Sequence, residues 1–288
     1  MRNVYLFTYG ILYALVVIVC LAIYRLLKPL IGVEFGTALI VVLVAALPLT
    51  YLILRFGLFR ERNKPESSLH EQFRNELFTN GYNEKSLGIA EQVINDVKAG
   101  KKVNYVYLKD FVVFSADYRN QIKDYQKALE LLNMLDPKDV RSKSIRVIDR
   151  GLSLLLYLNV RMDAVCGLCD EAAARGIKNE AHELFGKETG DPFASMLDVI
   201  DYDYHLMRKE YDEALAIADR MMANTSAFAK EYVGKYYVSA EVRKLLGRDG
   251  EAEEFMRKAG EFVKDKSPAI QQTYHMTRTR LGMDEQNV

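Results

Sequence analysis

Cys166-Gly167-Leu168-Cys169 spaces two thiols as a redox pair would, and such a pair at a helix N-terminus has a lowered thiol pKa. Thioredoxin-like use needs a strand–helix unit around the pair, and the surrounding pattern is helical. A zinc site needs a second pair or two histidines, and the chain has no second C-x-x-C. The two thiols are therefore expected as small apolar side chains on the inner face of a packed helix, near Ala164 and Ala173. Asp198, Asp201 and His205 share one helical face, where Asp201 and His205 could supply two metal ligands. The rest of such a shell is missing, so a solvated face is expected instead. His182-Glu183 opens HELFG, which lacks the second histidine of a zinc-protease helix. G-x-S-x-G, G-x-x-x-x-G-K and a strand-linked G-x-G-x-x-G are all missing, and there are only four histidines. The expectation is no enzyme, no cofactor and no metal.

The 288 residues carry 39 basic and 39 acidic side chains. That balance lacks the basic excess of a nucleic-acid binder. The charges are unevenly spread. Residues 1–57 hold only Arg2, Arg25, Lys28, Glu34 and Arg55, leaving 35 basic and 38 acidic residues beyond them. Residues 4–24 and 35–54 are uncharged apolar runs, each long enough to cross a bilayer's hydrocarbon core. They predict a two-helix transmembrane hairpin over residues 1–57, with Tyr5, Tyr9, Tyr24 and Tyr51 near the span ends and Pro48 kinking the second span. Arg2, Arg55, Arg60, Arg62 and Lys64 flank the hairpin on one side, against Arg25 and Lys28 on the other, which predicts both termini in the cytoplasm. Residues 58–68 are expected as a juxtamembrane linker, and Ser68 with Glu71 as a capping box that opens a helix closed at Gly81. The expected localisation is an integral protein of a plasma or bacterial inner membrane.

Residues 69–288 read as helical throughout, with no strand-like alternation. Expected helices cover 86–100, 103–122, 123–135, 145–160, a segment stopping at Gly176, 193–207, 209–221, 226–246, 248–263 and a last one starting at Pro268. Residues 177–192 are expected as a short helix or loop. The order is a long helix, a tight turn and a shorter helix, repeated. KEYDEALAIADRM (209–221) and KDYQKALELLNML (123–135) match each other. Tyr211, Ala214 and Ala218 correspond to Tyr125, Ala128 and Leu132, and a third copy carries Ala252, Met256 and Ala259. Small residues one turn apart let a second helix approach closely, with the larger ones filling the space around it.

These segments resemble the second helix of tetratricopeptide repeats, which begins with a G-x-Y-x-E-A-like pattern, here Tyr211, Glu213 and Ala214, and Tyr125 and Ala128. The first-helix tryptophan of that family has no counterpart, and the spacings between copies differ from its period of about 34 residues. The resemblance implies an all-α chain whose residues 69–288 form a tetratricopeptide-like α-solenoid of about four hairpins, the nine named residues packing the repeats. Its first helices would line a concave surface that holds a peptide. Tyr105, Tyr107, Tyr118, Tyr232, Tyr236 and Tyr237 fall on those helices, with Tyr118 and Tyr236 expected to be exposed. Lys109, Arg119, Lys235 and Arg243 are expected as rim charges. The function expected is a membrane-anchored scaffold for a protein or peptide partner, contacting the bilayer through 4–24 and 35–54. The alternative is an accessory subunit of a membrane enzyme or transporter, recognised through the hairpin.

Overall fold

The computed structural model describes residues 13–25, 42–44, 46–48, 50, 65–142, 147–188 and 190–283. The chain divides into two compact units, Met1–Ser68 and Leu69–Val288. In the first, residues 13–25 are helical, and the Tyr13 hydroxyl donates to the Leu43 carbonyl at 3.1 Å. The rest of the two apolar runs lies outside the described residues. Among the described residues no helix is long and apolar enough to cross a membrane, and this overturns the expected integral-membrane localisation. Within the expected linker, residues 65–68 belong to a helix that opens at Pro65 rather than at Ser68, while 58–64 lie outside the described residues.

The described residues contain helices and no strand. Helices α1 (Pro65–Asn80) and α2 (Glu84–Lys98) come first, α2 capped by reciprocal hydrogen bonds between Asn83 and Ser86. Three helices follow, α3 (Tyr105–Gln121), α4 (Tyr125–Leu132) and the short α5 (Pro137–Ser142). Then come α6 (Val147–Gly167), α7 (Glu171–Phe185), α8 (Phe193–Met207) and α9 (Tyr211–Ala223). The short α10 (Ala227–Glu231) precedes α11 (Gly234–Leu245), α12 (Asp249–Val263) and α13 (Pro268–Arg280).

Several boundaries differ from the periodicity, and α6 runs on past residue 160 to Gly167. Gly176 lies inside α7, where its missing side chain meets nothing and the helix continues across it. The helix expected over 226–246 is broken, because Tyr232 adopts an extended conformation and its ring lies where a Cβ on Gly234 would fall, 2.4 Å away. The freed Tyr232 ring stacks on Phe228 at 5.7 Å.

Four hairpins, α3–α4, α6–α7, α8–α9 and α11–α12, turn in the same way. Lys123 (φ 62°), Cys169 (φ 57°), Lys209 (φ 61°) and Gly247 (φ 73°) each hold the left-handed conformation after the first helix. At each turn the next N–H bonds back across six residues, as Asp124 does to the Arg119 carbonyl (2.8 Å) and Glu210 to that of His205 (3.0 Å). α13 ends likewise, at Gly282 (φ 64°), with the Met283 N–H on the Arg278 carbonyl at 2.9 Å. Successive hairpins share their cores. One core runs from Ile94 to Tyr204, a second joins Tyr202 to Ala214, Ala218 and Val242, and a third joins Tyr237 to Ala252, Met256, Ala259 and Met283. Ala128, Leu132, Ala214, Ala218, Ala252, Met256 and Ala259 are fully buried. Tyr125 lies across Gly167, where an added Cβ would stand 2.5 Å from the ring.

A lysine in the left-handed region carries a Cβ penalty that glycine lacks, only partly offset by glycine's freedom in the unfolded chain. Lys209→Gly is expected to stabilise the protein by about 0.5–1 kcal/mol, and Gly247→Ala to destabilise it by a similar amount. Thermal melts of the full chain check this, and two shifts of the same sign would count against a shared turn.

Candidate ligand-binding face

The residues singled out in the sequence are placed as follows. Cys166 is half-buried at the end of α6, its thiol 3.5 Å from the Asp203 carbonyl, and burial pushes its pKa up. Cys169 is exposed in the turn. The expected inner-face pair is thus corrected, and the raised pKa is the reverse of what a reactive thiol needs. The Asp198, Asp201 and His205 set is divided among neighbours. Asp198 pairs with Arg220 at 2.5 Å, Asp201 takes His182 at 2.8 Å and Lys178 at 3.3 Å, and His205 meets Glu210 at 2.7 Å. No metal-ligating cluster occurs among the described residues.

Three of the four expected rim charges are instead buried and engaged inside the unit. Lys109 donates to the Ser153 hydroxyl at 2.8 Å, tying α3 to α6. Lys235 donates to the Ala229 carbonyl at 2.6 Å, and burial lowers its pKa. Arg243 pairs with Asp219 (2.6 Å) and Glu251 (3.1 Å) over the Phe255 ring, binding α9, α11 and α12 together. Tyr118 and Tyr236 are half-buried rather than exposed, packed on Tyr82 and Phe262. Tyr118 and Arg119 do line a small pocket of about 90 Å³ between α2, α3 and α4, with Glu91, Lys98 and Lys127. Arg119 also reaches Asp124 at 3.4 Å.

A second constellation carries more charge. Asp117, Asp163, Asp203 and Glu241 each stand six residues before the left-handed residue of their hairpin, one on each of α3, α6, α8 and α11. Equal register on consecutive first helices turns all four to one face. That face closes on itself, because the Gln272 side chain of α13 pairs with the backbone of Tyr82, 190 residues earlier. The Tyr82 N–H donates to Oε1 of Gln272 at 2.8 Å, and Nε2 donates to the Tyr82 carbonyl at 2.7 Å. The Tyr82 hydroxyl in turn donates to Asp117 at 2.5 Å.

Arg280, at the end of α13, enters the same space. Its guanidinium stands 3.3 Å from Glu241 and within electrostatic reach of Asp163 and Asp203. Arg280 itself is exposed, with 40% of its side chain open to solvent. The face is therefore a half-buried groove that water reaches. Glu241 raises the Arg280 pKa first, ahead of the opposing effect of burial.

No family model, no curated protein and no solved structure matches the chain. The functional reading therefore rests on the groove's own chemistry.

Three of its carboxylates are held towards protonation. Burial first, then the charge of Asp117, pushes Asp163 up to about 7 against the pull of Arg280. Asp203 is raised well above the ordinary range by burial, then by Asp163 and Glu241. Burial also raises Asp117, opposed by hydrogen bonds from Tyr82 and Gln121. Among the described residues, no ion pair joins Asp117, Asp163 or Asp203 to a cation. The groove thus holds more carboxyl groups than its one guanidinium can pair, and they share protons in place of cations.

Residue-level pattern reading passes over these carboxylates, since an acidic residue on a helix reads as solvated surface. The usable signal is their constant distance from the hairpin turn.

An aspartate raised from 3.8 to about 7 binds more protons folded than unfolded between those values, so its contribution to stability is lost as pH rises through that window. Asp117, Asp203, Glu241, Arg280 and Tyr125 are the charged and titratable groups that face Asp163 from the surrounding helices. Asp163→Asn is expected to be more stable than the wild type at pH 8 by on the order of 1 kcal/mol, after discounting for solvent in the groove. The gap should close towards pH 4. Denaturant melts across this range test it, and a pH-independent gap would remove the assignment.

Proposed function

We propose that residues 69–288 are a tetratricopeptide-like α-solenoid of four helical hairpins, α3–α4, α6–α7, α8–α9 and α11–α12, and that its inner face binds a protein or peptide partner. Neighbour-only packing of hairpins is the hallmark of such arrays, and their inner faces serve as extended binding surfaces. The observation that carries the reading is the row of Asp117, Asp163, Asp203 and Glu241 at one register on consecutive first helices. A face kept only for packing would gain from apolar side chains there, since a buried charge needs a partner. Tyr82, Tyr125 and Tyr232 stand among these carboxylates and supply flat, amphipathic walls suited to peptide side chains.

Selection of a displayed random-peptide library against the purified full chain tests the reading. Enriched peptides are expected to compete with one another. They should lose binding to Asp203→Lys on the inner face and keep it with Asp212→Lys, an exposed position in the first turn of α9. Enriched peptides indifferent to Asp203→Lys would place recognition elsewhere, and a library with no enriched sequence would remove the reading.

A further inference from the structure

α13 differs from every other long helix whose side chains are described throughout. Its only buried residue is Thr277, whereas α4, the shortest of the others at eight residues, buries Ala128, Leu131 and Leu132. It packs mainly on α12, and Tyr274 lies against Gly260 there. Tyr274, Leu281 and Met283 pack its outer side on the third core, and its contacts towards the groove are polar, the amide of Gln272 on the Tyr82 backbone and the guanidinium of Arg280 beside Glu241. Both contacts are of the kind that one peptide makes to another.

The seat also fits its occupant imperfectly. One guanidinium faces Asp163, Asp203 and Glu241, with Asp117 beside Asp163. The Tyr237 hydroxyl, on a residue only 7% exposed, has no hydrogen-bond partner among the described residues and lies within electrostatic reach of Tyr274 on α13. A buried hydroxyl left unpaired is unfavourable, and an occupant with a better-placed polar group would relieve it. Arginine suits this groove better than lysine, because five N–H donors on one rigid plane can serve carboxylates from more than one helix.

Resting on the scaffold reading above, we propose that α13 is the resident ligand of the inner face, and that the partner is an arginine-bearing helical segment which displaces it and docks among Asp117, Asp163, Asp203 and Glu241. The resident helix then sets a threshold. A segment with fewer cations than α13, or with no group for the Tyr82 backbone, cannot take its place.

The probe is a fluorescein-labelled synthetic peptide of residues 267–283, titrated by anisotropy into the full-length protein and into full-length Gln272→Ala. The variant loses the clamp while keeping every charge in the groove. It should bind the peptide about 10-fold or more tighter than the wild type, as expected when the competent state becomes more populated. The same peptide with Arg280→Ala should lose that gain. Hydrogen exchange on the wild type supplies a readout that needs no variant. Amides of α13 should exchange faster than those of α11 and α12, and excess unlabelled peptide should deprotect α13 alone. Equal binding to variant and wild type, or α13 amides as slow as those of α11 and unmoved by peptide, would overturn the proposal. Library-selected peptides without arginine that bind the inner face while α13 stays protected would defeat this inference and leave the scaffold reading intact. Failure of every peptide to bind both proteins would defeat both.

Discussion

The organisation of residues 69–288 depends on one backbone constraint, the left-handed residue that ends each first helix. Lys123, Cys169, Lys209 and Gly247 reverse the chain through the same pair of backbone hydrogen bonds. Three of these residues are not glycine, so the conformation is held against a steric cost. A turn of fixed geometry fixes the angle and the phase between the helices it joins. Positions counted back from it therefore point the same way in every hairpin. The small residues Ala128, Ala214 and Ala252 of the second helices then close against their partners, and the carboxylates of the first helices come to one face.

Two kinds of buried charge result, with opposite purposes. Arg243 is neutralised by Asp219 and Glu251 and covered by Phe255, an arrangement that fixes three helices relative to one another. Lys109 and Lys235 are similarly satisfied by Ser153 and the Ala229 carbonyl. The inner carboxylates have no such closure. Their desolvation is relieved by raised proton affinity and by the single guanidinium of Arg280. Charges in the first group are consumed by the fold, and Asp163 and Asp203 in the second are left without an ion pair of their own among the described residues.

The helices themselves were legible from periodicity, and their ends were legible wherever glycine or proline carries a local conformational reason. Gly81, Gly100 and Gly247 have positive φ, and Pro268 opens α13. Gly176 misled because nothing in its surroundings uses its freedom, so α7 runs through it. The break at Tyr232 was hidden because it arises from a ring packed against Gly234, a tertiary contact that leaves no periodic trace. Cations at helical positions read as rim charges, yet Lys109, Lys235 and Arg243 are drawn inward by partners on other helices. The carboxylate row went unseen for the converse reason. Aspartate and glutamate carry no mark of burial, and their alignment appears only once the turns are located. The uncharged runs at 4–24 and 35–54 are plain in the sequence, but the described helical residues within them form no span of membrane length.

The pairing of Gln272 with the Tyr82 backbone has a consequence for cooperativity. Arrays whose units touch only their neighbours unfold piecemeal, losing end units first, because no unit beyond the next one senses the loss. Here the turn between α1 and α2 and the last helix, α13, share a two-point hydrogen bond across 190 residues. Fraying at one terminus removes a contact from the other, so the ends are linked as a ring links its links. The same bond adds an element of high sequence separation to an otherwise local topology, and closing that long loop carries an entropic cost.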